Sequence, residues 1–304
     1  MKNIIFISDL HLGAGAANDF HESYHLHRLL DYAAENASEL VILGDLLELL
    51  QSEFLEIYAE HHSIFEHFFA LAEKIPVKYI LGNHDAAAAI DVNPRGKSAF
   101  LGSKIQVLPE YENLPLKIFA AHGHQFSLAN RHDNILDFAE VSVGDRVTKF
   151  VGWMERNIHP KIDNWMESLY FKYRKLMHRF SRNAKNFAYL VTPANPLYRA
   201  LGGDFAEYET AARNVLASER YSVCVFGHTH IPQIKALEDK IYANSGSWVG
   251  ENQITEPPIF LDIDANFVRM IDARTFEVIG SVSREQPKIT KPHKASIFKN
   301  KVIV

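Results

Sequence analysis

Cysteine is nearly missing from this chain: Cys224 is the only one in 304 residues. A single thiol excludes an intrachain disulfide and any cysteine zinc cage, and its place in the apolar run Val223 to Phe226 marks it as a core residue. Long hydrophobic runs are lacking too. Stretches such as Ile4 to Ile7 and Val41 to Leu43 are strand-length, far short of the roughly 18 to 20 residues that a bilayer crossing needs. No secretory segment is expected either, because Met1, Lys2 and Asn3 lead straight into Ile4 to Ile7 and the polar Ser8 and Asp9, with no small-residue cleavage site. The expected location is the cytoplasm, with a peripheral position at the inner membrane surface as its extension. Solenoid-period repeats and low-complexity tracts are also absent. The chain has no excess of positive charge: a formal net charge of −5 argues against a protein that coats nucleic acid.

What the sequence does have is an ordinary apolar fraction, 47%, enough for a sizeable core. Its first hundred residues alternate strand and helix signals: an apolar run at Ile4 to Ile7, helical periodicity from about Phe20 to Ala37, and a second run at Leu40 to Leu43. A further helix is expected from Ser52, as N-cap, to Lys74, with Pro76 ending it. Strands are expected at Val77 to Leu81, Lys117 to Ala121 and Ser222 to Phe226, then at Ile241 to Asn244, Ile259 to Ile263, Val268 to Ile271 and Val278 to Val282. Between Phe126 and Leu216 strand signal is scarce, which predicts a helical insertion. The expected organisation is a core of residues 1–125 and 217–285, a helical insertion or lid over 126–216, and a basic tail over 286–304 that is loosely ordered.

Five polar clusters each follow a predicted strand: Asp9-Leu10-His11, Gly44-Asp45-Leu46-Leu47-Glu48, Gly82-Asn83-His84-Asp85, His122-Gly123-His124 and Gly227-His228-Thr229-His230. Residues just beyond the carboxyl ends of strands in an α/β sheet share one edge and converge on one crevice. Spacing of two, in Asp9 with His11 and in His228 with His230, sends both side chains of a pair the same way on extended backbone. Singly, each cluster is an ordinary turn with a surface histidine; together and in order they form a donor set of carboxylate, imidazole and amide. Such a set suits Mn²⁺, Fe²⁺, Co²⁺ or Zn²⁺ better than Ca²⁺. Two such ions about 3.5 to 4 Å apart clamp phosphate oxygens and bridge a water, which becomes the nucleophilic hydroxide of an in-line hydrolysis. His61, His62 and His67 lie on the second helix and read as solvated or locally satisfied.

The five blocks resemble the motif series of the calcineurin-like metallophosphoesterase superfamily, D-x-H, G-D-x-x-D/E, G-N-H-D/E, H and G-H-x-H, over Asp9 to His230. The resemblance implies an α/β fold of two facing mixed β-sheets flanked by helices, here with a helical insertion. It implies a dinuclear metal-dependent phosphoester or pyrophosphate hydrolase, with Mn²⁺ as the first expectation for the ions. Asp9, His11 and His230 would hold one ion, Asn83, His122 and His228 the other, and Asp45 would bridge them. His84 would sit beside the phosphate as acid or electrostatic stabiliser, with Asp85 orienting its imidazole. Glu48 and His124 stand open between a supporting role and none. A nuclease or nucleotide phosphodiesterase uses the same metals, and a non-catalytic scaffold arises when ligands are lost; no ligand is lost here.

The strand-end segment Tyr242 to Val249 and the insertion after His122 are similar to the UDP-2,3-diacylglucosamine pyrophosphatase branch, which cleaves a lipid-linked sugar nucleotide. His84 stands where that branch has arginine, and His124 where it has aspartate. From Arg146 to Arg199 there are eleven Lys or Arg and three acids, a net +8. Subtracted from −5, this leaves −13 on the rest. Aromatics from Phe150 to Tyr198 interleave with these charges. That composition fits an anionic lipid or membrane surface, and also single-stranded nucleic acid, the insertion's own core or an oligomer contact.

Overall fold

A computed structural model describes residues 3–86, 104–126, 205–249, 257–285, 287 and 289–290. Its first sheet has eight strands, built on the parallel run β1 (Asn3–Ile7), β2 (Ala37–Leu43), β3 (Val77–Ile80) and β4 (Ile105–Leu108). The second sheet carries the short β5 (Tyr111–Asn113) at one edge, beside β6 (Ile118–Ala120), β7 (Val223–Phe226) and β9 (Lys240–Asn244), which run parallel, with the antiparallel β8 (Gln233–Leu237) at the other edge. Antiparallel strands β10 (Ile259–Ile263), β11 (Phe267–Asp272), β12 (Val278–Ser283) and β13 (Ile289–Thr290) complete the first sheet on the free side of β1.

The apolar runs explain the layering. A strand covered on both faces has no polar side, so β1 reads Ile-Ile-Phe-Ile without alternation. Its even positions, Ile4 and Phe6, join Val41, Leu43, Val223, Val225 and Leu261 between the sheets. Its odd positions, Ile5 and Ile7, join Leu40, Ile42, Tyr79 and Phe260 beneath α1 (Ser23–Asn36), α2 (Phe54–Glu60) and α3 (His62–Ala72). On the far side α4 (Phe205–Leu216) sets Tyr208, Ala212 and Leu216 against Phe119, Cys224, Phe226 and Tyr242. The architecture is therefore two facing mixed sheets flanked by helices. Cys224 is buried, as its apolar neighbours require.

Four strands, β4, β5, β8 and β13, go beyond the sequence expectation. β5 is three residues long and β8 is a half-buried edge strand, so neither carries a clear period. Two helices replace the single one expected over Ser52 to Lys74. The break falls at His61, whose backbone leaves the helical region (φ −106°, ψ 23°) and whose buried ring faces the Gly13 carbonyl at 2.9 Å. Ser52 is not the cap: its hydroxyl accepts the Ala14 N–H, and Glu53 caps α2 through a reciprocal capping box with Glu56. Glu53→Ala should therefore lower stability by about 0.5 to 1 kcal/mol in urea denaturation, and no loss would show that the box contributes nothing.

The expected helical segment 126–216 lies outside the described residues except at its ends, a 3-10 turn at His124–Phe126 and α4. Of the expected loose tail, Ile289–Thr290 pair with Ser281 and Val282; residues 291–304 lie outside the described set. Among the described residues no helix is long and apolar enough to cross a membrane.

Candidate metal centre

All five sequence clusters leave the carboxyl ends of parallel strands: Asp9 and His11 after β1, Asp45 and Glu48 after β2, Asn83 to Asp85 after β3, His122 after β6, His228 and His230 after β7. The two sheets face each other, so these ends meet at one rim. Asp9, His11, Asp45, His228 and His230 all have positive φ, between 44° and 65°. Left-handed backbone costs non-glycine residues about 1 to 2 kcal/mol each, and such strain concentrates at functional sites. Tight approach explains two glycines: a Cβ on Gly82 would lie 2.1 Å from Asp45 Oδ1, and one on Gly227 would lie 2.7 Å from Asp9 Oδ2.

Three overlapping groups have the reach of metal ligands: Asp9 with His11 and His230, His11 with Asp45 and His84, and Asp45 with His122 and His228. Asp45 lies between the halves, its Oδ2 3.1 Å from His122 Nε2 and 3.8 Å from His11 Nε2. Its Oδ1 accepts the His84 backbone N–H at 2.9 Å. Asn83 Oδ1 lies 3.3 Å from His122 Nε2.

The donor atoms test whether a cation fits. His122 Nδ1 is 2.6 Å from the Leu43 carbonyl, which can only accept, so Nδ1 carries the hydrogen and Nε2 faces two acceptor oxygens, between which a proton or a cation must lie. His11 Nδ1 likewise faces Glu48 Oε2 at 3.0 Å, which aims Nε2 at His230 Nε2, 3.2 Å away. Asp9 Oδ1 is buried, accepts no hydrogen bond among the described residues, and sits 3.3 Å from His230 Nε2. Lone pairs converging without donors repel unless a positive charge lies among them. Imidazoles oriented from behind by a carbonyl and a carboxylate are the usual supporting arrangement of metal-binding histidine.

Electrostatics agree. Burial pulls His122 down, but the Asp45 and Asp9 carboxylates outweigh it and hold the ring up at about 9. Burial pushes Asp45 up, while His122, His84 and His11 hold it well below the usual carboxylate range. Burial and the positive His122 keep His228 well below its ordinary value, so its ring is neutral with a lone pair to give. The crevice is a place for positive charge.

The expectation that Asp85 orients His84 is corrected. Asp85 is buried and turned inward, accepting the Gly82 N–H at 2.6 Å, the Leu46 N–H at 2.8 Å and the Tyr79 hydroxyl. Burial and the Asp45 charge raise it to about 6. The carboxylate that faces the His84 ring is Glu48, Oε2 2.6 Å from Nδ1. Its carboxyl is pushed up by burial but drawn down to about 2 by His84 and His11. Glu48 thus braces two imidazoles at once. His124 lies tilted beside His122 and edge-on to His228, ring centroids 5.3 and 6.2 Å away. Tyr208, 6.0 Å from His228 by ring centroids, gave no signal in the sequence, because it lies on α4 and far from any cluster.

The family model for calcineurin-like phosphoesterase matches residues 2–232. Comparison with curated proteins gives no match. Among solved structures, the phosphoesterase YfcE from E. coli is 17% identical with a TM-score of 0.43, over 92% of this chain and 98% of that one. A predicted phosphoesterase from Streptococcus pneumoniae is 15% identical with a TM-score of 0.37, over 95% and 97%. The nuclease MPE from Pseudomonas putida is 26% identical with a TM-score of 0.28, over 39% and 52%.

Proposed function

Since the chain belongs to the calcineurin-like phosphoesterase family and is a phosphoester hydrolase, we propose that its rim residues form a dinuclear centre in which Asp45 is shared by two ions. Asp9, His11 and His230 hold one ion; Asn83, His122 and His228 hold the other. The observation that carries this reading is the convergence of imidazole nitrogens from both halves on the Asp45 carboxylate, whose Oδ2 lies 3.8 Å from His11 Nε2 and 3.1 Å from His122 Nε2. When bound, two transition-metal ions polarise phosphate oxygens and bring the pKa of a water into the nucleophilic range.

The chain's own residues do the rest. Glu48 holds His84 by Nδ1 and leaves Nε2 as the ring nitrogen to give a proton to, or hydrogen-bond, the leaving oxygen. Asp85 acts on the scaffold, tying the ends of β2 and β3 together through Leu46 and Gly82. Mn²⁺ is the proposed metal, since mixed oxygen and nitrogen donors without thiolate suit it.

The proposed substrate class is an anionic amphiphile, such as a lipid-linked nucleotide cleaved at its pyrophosphate. Supporting it is the net +8 between Arg146 and Arg199 with interleaved aromatics. The described residues flanking that segment also lie beside the centre: Phe126 packs 5.0 Å from Phe226, and Tyr208 6.0 Å from His228, by ring centroids. A nuclease reading shares the metal chemistry, and a scaffold reading requires lost ligands, which this chain does not have.

The test is a Mn²⁺-supplemented panel of UDP-diacylglucosamine, water-soluble nucleotide diphosphate conjugates, a chromogenic phosphodiester and single-stranded DNA. It is run on the intact chain and on one with Lys172, Arg174, Lys175 and Arg179 changed to glutamine. Turnover of the lipid conjugate should fall about tenfold or more in the variant, since about 1 kcal/mol is lost per basic residue at an anionic surface, while the chromogenic diester is unchanged. Equal loss on both, or preference for DNA, refutes the amphiphile. Undiminished activity after chelation refutes the metal centre.

A further inference from the structure

Residues 244–248, from the last residue of β9 into the segment leading to β10, supply none of the proposed ligands, yet they are bonded to both halves of the centre. On the second sheet, Asn244 Nδ2 donates to the Gly227 carbonyl at 2.7 Å and Ser245 N–H donates to the Phe226 carbonyl at 3.0 Å. On the first sheet, the Trp248 N–H donates to the Asp9 carbonyl at 2.9 Å, and Ser247 Oγ lies 3.1 Å from the same oxygen. Ser8 and Ser245 meet hydroxyl to hydroxyl at 2.6 Å, and Ser8 Oγ also reaches the Gly246 carbonyl at 3.1 Å. Asn244 Oδ1 accepts the Gly246 N–H at 2.9 Å, which closes the segment on itself. Ser8, Asn244 and Ser245 are buried.

These bonds act where the backbone is least able to hold itself. Asp9 and His228 both have positive φ, and the His228 N–H ties them directly by donating to Asp9 Oδ2 at 3.0 Å. Asp9 belongs to one proposed ion and His228 to the other, on opposite sheets. Gly246, itself at φ 70°, packs against Pro232, two residues beyond His230. The segment therefore fixes Asp9 from behind by its carbonyl and fixes the His228–His230 turn by the Gly227 carbonyl and Pro232.

We propose that Asn244–Trp248 is an intersheet brace that sets the spacing of the two ion sites, with Asn244 and the Ser8–Ser245 hydroxyl pair as its positioning residues. The proposal rests on the dinuclear reading above. Such support from behind ligands is typically worth about 10- to 100-fold in metal affinity.

The test is calorimetric titration of the chelator-stripped full chain with Mn²⁺ and then Zn²⁺, alongside the melting temperature of the metal-free protein. Asn244→Ala should lose about 10- to 100-fold in affinity for at least one ion, with its metal-free melting temperature within a few degrees of wild type. Ser8→Ala and Ser245→Ala should each weaken binding less, and the double variant should fall short of the sum of the two, because both remove the shared hydroxyl contact while each serine also has a carbonyl of its own, Gly246 for Ser8 and Phe226 for Ser245. If Asn244→Ala fails to fold, the serine set carries the decision alone. Two ions bound with wild-type affinity by the variants, or serine effects that simply add, overturn the brace. A wild-type chain that takes up neither metal ends the dinuclear reading and the brace together, which separates the two failures.

Discussion

Asp45→Asn is expected to lower kcat/KM on a small phosphodiester by about 10³-fold or more, since a lost metal ligand removes several kcal/mol of transition-state charge stabilisation. Asparagine has the shape of aspartate, so the loss is electronic. Asp45 is buried, and its Oδ1 accepts the His84 backbone N–H at 2.9 Å while Oδ2 lies 3.1 Å from His122. In the variant the amide oxygen can keep the His84 contact and the NH₂ can donate to the His122 lone pair. Folding is thus retained, and the metal-free melting temperature should stay within a few degrees, because replacing a buried charged pair by a neutral one is often close to neutral. On the proposed dinuclear reading both ions would lose their shared anionic ligand, so calorimetry should find weakened uptake of both. Full activity in Asp45→Asn, or loss of one ion with the other unaffected, would falsify the shared-ligand role.

Much of this site was legible because strands announce themselves by apolar runs and the polar clusters follow them directly. Parallel strands bring their carboxyl ends together whatever the loop lengths, so the convergence of Asp9, Asp45, Asn83, His122 and His228 follows from strand order alone. The pairing of His84 was not legible. Asp85 is adjacent in sequence and Glu48 is 36 residues away, yet neighbours on a turn point in different directions. The turn after β3 sends Asp85 inward to backbone donors at the end of β2 and leaves His84 at the rim. The brace was invisible for a related reason. Asn244 and Ser245 read as a polar turn after a strand, and their partners Gly227, Ser8 and Asp9 are set by how the two sheets face. The break at His61 was hidden too, since periodicity runs through it; only the ring's contact with Gly13, 48 residues distant, accounts for it.

His84→Ala should cost about 10²- to 10⁴-fold in kcat, the range for a positioned acid or base, with KM for a small diester changed far less. The partner Glu48 gives the sharper test, because it acts through the ring. Glu48→Gln keeps the length and a hydrogen-bonding head but removes the negative charge 2.6 Å from His84 Nδ1 and 3.0 Å from His11 Nδ1. A carboxylate there favours the protonated imidazole, as its own depression to about 2 under the influence of His84 and His11 reflects. Removing it makes the His84 ring give up its proton at lower pH. If His84 acts as the acid, the alkaline limb of the kcat profile moves to lower pH in Glu48→Gln, and activity lost at pH 8 is partly regained near pH 6. If the ring acted as a base, the acidic limb would move instead, again to lower pH, and activity would be retained at pH 8. Against burial, His84 and His11 hold the Glu48 carboxyl down at about 2, so it stays ionised across the assay range and its own titration does not confuse the result. A wild-type pH profile in Glu48→Gln, with kcat reduced uniformly, would remove Glu48 from the proton step and leave it only as the support of His11.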